Sequence, residues 1–417
     1  MGLPVNSGPS DTLARRDFVG ALPAEVATHI VELLPPADIA RRVALVSRRW
    51  HGVASQPSLW RRLFLRRRWR VDAERVRRSE AARKVSSLHG HPQAALPWPA
   101  LFAAYHRVVA NWHAGRCRVD RWEAAHREGI YAVLFDARAR RLLTASRDCA
   151  VRLWHVPDAG GRLAPVATLR AHTGSVLTLH ADAAGAELAT GSSDGSACLW
   201  DLHSLRVTRR LPHPDAVLSV RLTARWLATG CKDGVVRVWR RGCAWAEPTE
   251  LRGHGVAVNA VSVHGDTLVS ASGDRSLRVW DLARGVCVHT LVGHTRGVAC
   301  IAFDGTFVVS GSSDRSIRVW HAASGRCERV IANAHADLVR AVAFDRGSDL
   351  LVSASYDESI KIWAFSTATL IHKIKSVHTS RIFSLGFDRT RIVSSSHDGS
   401  VAIVDFAAGL EHARALQ

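Results

Sequence analysis

HTRGVACIAFDGTFVVSGSSDRSIRVW, residues 294–320, sets four polar side chains at fixed separations: His294, Ser310, Asp314 and Trp320. An indole N–H can only donate. A hydroxyl accepts that bond and donates onward, and an imidazole passes the chain to a carboxylate, so the four residues predict a buried polar relay. Removing the Asp would leave a buried His without its partner, at about 1–3 kcal/mol.

The same register recurs seven times: His126/Thr144/Asp148/Trp154, His172/Thr190/Asp194/Trp200, His213/Thr229/Asp233/Trp239, His254/Ser270/Asp274/Trp280, the set above, His335/Ser353/Asp357/Trp363, and His378/Ser394/Asp398 with Val404 in the last Trp position. His and Asp lie 20 or 22 residues apart, and consecutive Asp residues are 46, 39, 41, 40, 43 and 41 apart. Between the anchors, short apolar runs read as strands, among them Ala132–Phe135, Val176–Leu179 and Val217–Val220. In the third run of each unit, period-two alternation puts Arg152, Arg237, Arg278 and Arg318 on the face opposite their apolar neighbours.

Four short strands per unit make a propeller blade, and seven blades need a closure that leaves no open edge. The last unit ends soon after Val401–Phe406 and lacks an outer strand of its own. Gly115–Trp122 resembles the run starting at Gly325 ahead of His335, so it is expected to pair into the last blade as a clasp. From about residue 115 to 407 the chain is similar to the WD-repeat family. The resemblance is strong in the relay. It is weak in the dipeptides, since Gly precedes the His only at His254 and His294, and Asp follows Trp only at Trp200 and Trp280.

With the histidines committed to the blades, and no His, Cys or Asp pair at ligand spacing elsewhere, no metal site and no cofactor are expected. There is also no GxSxG, P-loop or HExxH, so the chain reads as a non-enzyme. Eight Cys without a CxxC pair point to a reducing compartment, cytoplasm or nucleus. No membrane span or signal peptide is visible. The most apolar stretch, residues 94–112, is broken by Pro97 and Pro99.

The first third of the chain carries a different pattern. Leu22-Pro-Ala-Glu-Val26, Ile30, Leu33 and Leu34 form one apolar helical face, which Pro35-Pro36 ends. Asp38 can cap a second helix whose Ile39, Val43, Val46, Trp50 and Val53 step by four and three, and Leu59-Trp60 follow. This ordered set resembles an F-box, the small helical module that docks on the Skp adaptor of cullin-RING ubiquitin ligases. The expected organisation is a disordered residue 1–16 segment, an F-box at 17–62, a basic helical linker at 63–114, the propeller at 115–407 and a tail at 408–417. The fold is therefore mainly β, a seven-bladed propeller preceded by a small all-α module.

The resemblance implies a substrate receptor of a ubiquitin ligase, bound through the Skp-type adaptor to cullin. Leu22, Pro23, Ile30, Leu33, Ile39 and Val43 would contact the adaptor, with Trp50 and Trp60 as internal braces. Related propellers grip substrate with the residue five after each blade His and the residue before each relay Asp. Here these positions include Tyr131, Arg147, Lys232, Asn259, Arg340, Tyr356, Phe383 and His397, joined by Arg381. Aromatic and Arg residues are the usual hot-spot types. A phosphorylated tail is one expected ligand, and an acidic or mixed aromatic peptide is the preferred one.

Arg41 to Lys84 hold 15 basic and 3 acidic residues, in a chain of net charge +19. Such a stripe could bind nucleic acid. The alternative function is accordingly a WD-repeat assembly scaffold whose basic arm binds nucleic acid or ribonucleoprotein. Only five of 56 basic residues are Lys. That general preference for Arg favours a solvated helix face, so nucleic acid is not the expected partner.

Overall fold

The structure is a computed structural model, and it describes residues 24–34, 39, 48–66, 97–123, 125–136, 139–156, 163–182, 185–242 and 247–410. The chain forms two compact units, divided between His106 and Arg107.

The first unit is helical. Its described elements are α1 (Ala24–Glu32), α2 (Arg48–Ala54), α3 (Pro57–Arg66) and the first half of α4 (Trp98–Ala114). Pro57 opens α3, where its missing N–H costs nothing. One face of α1 is the core, with Ala27 and Val31 fully buried, and Val53, Leu59 and Leu63 of α2 and α3 are buried as well. Trp60 acts as a brace: its indole donates to the Ala54 carbonyl and its ring packs 5.1 Å from Phe102. An ion pair from Arg62 to Glu32 ties α3 to α1.

The second unit contains seven four-stranded antiparallel sheets. Their inner strands are Ile130–Asp136, Val176–Ala181, Val217–Leu222, Val258–His264, Val298–Phe303, Val339–Asp345 and Ile382–Phe387, which number blades one to seven. These strands neighbour one another in that order, and the seventh returns to the first, so they ring a central channel.

The apolar cores lie between blades. One core joins Val309, Val319 and Ile331 of blade five to Val339, Leu351 and Trp363 of blade six, and another joins Val269 and Val279 of blade four to Ile301 and Trp320 of blade five. Each relay Trp thus packs on the preceding blade. Its size fills the wedge between two twisted sheets.

The clasp forms as the sequence predicts. Arg118–Trp122 pairs antiparallel with Val401–Asp405, Val119 facing Val404, and supplies blade seven with its outer strand. Just before it, Asn111 donates to the Phe406 carbonyl at 2.8 Å and Trp112 to the Arg389 carbonyl at 2.9 Å. Trp112 is 1% exposed and stacks on Phe406 with centroids 3.7 Å apart.

In blade five the indole of Trp320 donates to Ser310 Oγ at 2.9 Å, Ser310 reaches His294 Nε2 at 2.8 Å, and His294 Nδ1 reaches Asp314 at 2.8 Å. In blade four the same chain runs Trp280, Ser270, His254, Asp274 at 2.8, 2.8 and 2.9 Å. Two of the seven sets depart from the expected relay. His213 Nδ1 turns to the Leu211 carbonyl at 3.1 Å, while Asp233 binds Arg237 at 2.8 Å. The guanidinium, held on its other side by Glu250, competes for the carboxylate and wins it from a neutral imidazole. In blade seven Ser400 sits between His378 and Asp398, with bonds of 2.7 and 2.5 Å.

In blades four to six the third-strand cation shares a face with the Trp two residues on and lies over it. Arg278 and Arg318 sit 5.9 Å from the rings of Trp280 and Trp320, and Lys361 sits 5.6 Å from that of Trp363.

Candidate functional site: the channel mouth and the outer face of the first helix

Every inner strand carries a register shift near its start, such as that between Val298 and Cys300 or between Ile382 and Ser384. The residue inside each shift is the one five after the blade His. A bulge of this kind re-aims a side chain, and here all seven bulged residues line the channel. The residue before each relay Asp is held beside it by a repeated backbone bond. The N–H groups of Arg147, Lys232, Tyr356 and His397 donate to the carbonyls of Gly129, Ala216, Leu338 and Arg381, at 2.9 to 3.1 Å.

Five of the expected substrate residues converge on the mouth. Tyr131 stacks on Phe383 with centroids 5.0 Å apart, and Tyr356 and His397 each meet Phe383 edge-on at 5.6 Å. Arg381 lies 5.2 Å over the Tyr356 ring. Phe383 is buried by its neighbours, whereas Arg381 and His397 are exposed. The result is an aromatic floor with a cation on its rim, contributed by blades six, seven and one.

The other expected residues lie apart from that floor or are already engaged. Arg340 lines the channel on blade six. Arg147 is paired with Glu128 at 3.3 Å. Lys232 lies 3.9 Å from Asp215 on blade three, and the Asn259 amide donates to the Val298 carbonyl at 2.8 Å. Lys232 and Asn259 therefore do not join the aromatic sector. Sequence position told which residues the bulges present, but not that acidic neighbours answer two of the cations.

Spacing from the blade His also left unmarked Arg221 and His180, which line the same cavity of about 410 Å³ deeper in. They lie three positions beyond the bulged residues. An unexplained Arg in an inner strand was the available signal.

On the helical unit, Val26 of α1 and Leu33, in the turn that follows its last residue, face outward, 44% and 72% exposed, with Ile30 half-buried between them. These positions are four and three apart, so they lie along one side of the segment, flanked by the buried Ala27 and Val31. Ile39 is fully buried and belongs to the core beneath. Leu22, Pro23 and Val43 lie outside the described residues, as does the Trp50 side chain.

Among the described residues no group of three or more His, Cys, Asp or Glu could hold a metal ion. No described helix is long and apolar enough to cross a membrane.

Comparison with known proteins adds two family matches. The F-box-like model matches residues 19–66. The WD domain, G-beta repeat model matches residues 121–155, 163–201, 205–240, 245–281, 285–321 and 325–364, together more than half of the chain. These six matches leave out blade seven, where Val404 replaces the Trp. Among curated relatives, Mitochondrial division protein 1 of Neurospora crassa is 35% identical over 168 residues, covering 40% of this chain and 24% of that protein. The Sterol regulatory element-binding protein cleavage-activating protein of Xenopus laevis is 32% identical over 171 residues, covering 40% and 12%. A Probable E3 ubiquitin ligase complex SCF subunit sconB, of Arthroderma otae, is 29% identical over 161 residues, covering 34% and 23%. The chain thus spans about a quarter or less of the length of these relatives.

Proposed function

From the premise that this chain belongs to the F-box/WD-repeat family, we propose that it is the non-catalytic substrate receptor of an SCF-type ubiquitin ligase. The observation that carries the reading is the exposed stripe Val26/Ile30/Leu33 of α1 and the turn after it, inside the segment that matches the F-box-like model. A small helical unit that leaves a Leu 72% exposed on an apolar stripe has a face to spend on a partner. Leu22 and Pro23 stand four and three residues before Val26 in the sequence. In this reading Leu22, Pro23, Ile30, Leu33 and Val43 meet the Skp-type adaptor, while Ile39 supports them from within. The sconB relative bears a name of the same class.

The propeller would hold the substrate on the aromatic floor of Tyr131, Tyr356, Phe383 and His397. Arg381 and Arg340 favour an acidic or mixed aromatic peptide over a densely phosphorylated one. Two guanidinium groups are few for several phosphates, and Arg147, two blades from Arg340, is already paired with Glu128. Catalysis would come from proximity of bound substrate to the charged ubiquitin carrier, without side-chain chemistry from this chain.

Two paired variants test both faces in one comparison, with adaptor co-purification and selection of displayed peptides on the full chain as readouts. Leu22→Ala with Pro23→Ala is expected to lose the adaptor and keep the peptides. Arg381→Glu with Phe383→Ala is expected to do the reverse. Adaptor retained by the first pair would overturn the ligase reading, and peptides retained by the second would move the substrate site elsewhere.

A further inference from the structure

The floor of the mouth covers a second feature. Leu134, His180, Arg221, Ser262, Ala302, Ala343 and Gly386 occupy one level of the inner strands, one from each blade, each paired with the residue that precedes its blade's relay hydroxyl, and blade one contributes the apolar Leu134 beside His180. Blades two to four therefore bring polar groups to this level, and blades five to seven bring two Ala and a Gly from across the ring. The small wall leaves room. A Cβ on Gly386 would meet nothing closer than Val393, at 3.9 Å.

The polar wall consists of donors. Among the described residues Arg221 has one hydrogen bond, from Nη2 to Ser262 Oγ at 3.2 Å, and no carboxylate partner. The Leu222 amide donates to His180 Nδ1 at 3.2 Å, which puts the proton of the neutral ring on Nε2. Burial, and then the nearby Arg221 charge, hold His180 well below its ordinary pKa, so it stays neutral. Burial also lowers Arg221, yet a guanidinium remains charged in a protein. One carboxylate lines the cavity, Asp304, and it already accepts from the Thr306 and Phe307 amides and pairs with Arg346 at 2.5 Å. Arg221 is half-buried in the channel wall, and a guanidinium there with one hydroxyl partner and no counter-charge keeps N–H groups free for an anion.

We propose that the central channel is a binding site for a small oxyanion, held by Arg221 and His180 Nε2–H against the wall of Ala302, Ala343 and Gly386. A guanidinium fork suits phosphate or carboxylate oxygens, and a cavity of about 410 Å³ accepts a compact polyanion. The site does not rest on the ligase reading, since it needs no part of the helical unit, and it shares its cavity with Tyr131 and Phe383 of the aromatic floor.

Thermal melting of the full chain with pyrophosphate and, separately, with citrate tests the site. Salts of this kind stabilise proteins generally, so the readout is the difference between variants. With at least one of the two anions the wild type is expected to gain at least about 2 °C more than Arg221→Met. Gly386→Leu, which fills the cavity and leaves Arg221 intact, should lose the same increment. Arg326→Glu, on an exposed outer strand, should keep it. A response to pyrophosphate alone assigns a phosphate ligand, and one to citrate alone a carboxylate. Equal gains in wild type, Arg221→Met and Gly386→Leu, or no gain with either anion, would overturn the proposal.

Discussion

His378 shows how a single residue sets the acid limit of the propeller. Its ring is buried and bonds to Ser400 rather than directly to a carboxylate, and burial brings its pKa down to about 4. The unfolded chain takes up a proton near pH 6.5 that the folded chain refuses until about pH 4. Stability from this residue is thus complete above about pH 6.5 and lost as pH falls through that window, at about 3 kcal/mol. The other six relay histidines are shifted in the same direction by burial. Relay carboxylates act lower. Desolvation opposes ionisation of Asp274 and Asp314, yet their Ser, His and amide hydrogen bonds outweigh it and hold both at about 2. Their stability is present above the ordinary Asp range and fades as pH drops toward 2. Denaturant melts should show stability falling already between about pH 7 and about pH 4.5, and a flat profile there would contradict the buried, neutral histidines.

At the scale of elements, the clasp strand and the turn of helix before it close the ring together. Trp112→Ala would remove a ring that is 1% exposed, stacked on Phe406 and bonded to Arg389, from the edge of blade seven. The expected loss is about 3–5 kcal/mol by chemical denaturation. A loss under about 1 kcal/mol would mean that the helix end does not secure the blade. The blades, their number and the clasp were legible because the relay needs four residue types at fixed spacing and because Gly115–Trp122 echoes a later outer strand. The bulged backbone at those positions was not legible, since the register shift arises only where each inner strand pairs with the second strand of its own blade. Nor were the left-handed turn residues after each relay Asp: Gly195, Gly234 and Gly399 suit that conformation, but Cys149, Arg275, Arg315 and Glu358 adopt it without a glycine. Exchange of the relay partner at His213 was hidden as well, because Arg237 and Glu250 meet Asp233 only once the strands pair.

For the whole molecule, sequence order separates two tasks, a helical unit with an apolar stripe to spare and a propeller with an aromatic mouth. The site's aromatic half could be read from position, since the bulge and turn positions recur at every blade. Its charge balance could not, because Glu128 and Asp215 neutralise Arg147 and Lys232 through space. Within the basic stretch Arg41–Lys84, Arg61 and Arg62 of α3 are exposed, as a solvated face requires, and residues 67–84 lie outside the described residues. The central claim is that the outer stripe of α1 and the turn after it docks on a Skp-type adaptor. Titration calorimetry of the full chain with the purified adaptor, wild type beside Leu33→Glu, tests it most directly. The wild type is expected to form a one-to-one complex and the variant to bind at least about 100-fold more weakly, since a carboxylate would be buried where an apolar contact stood. An unchanged affinity for Leu33→Glu, or no complex with the wild type, would contradict it, and the second result would leave a seven-bladed scaffold with a basic arm.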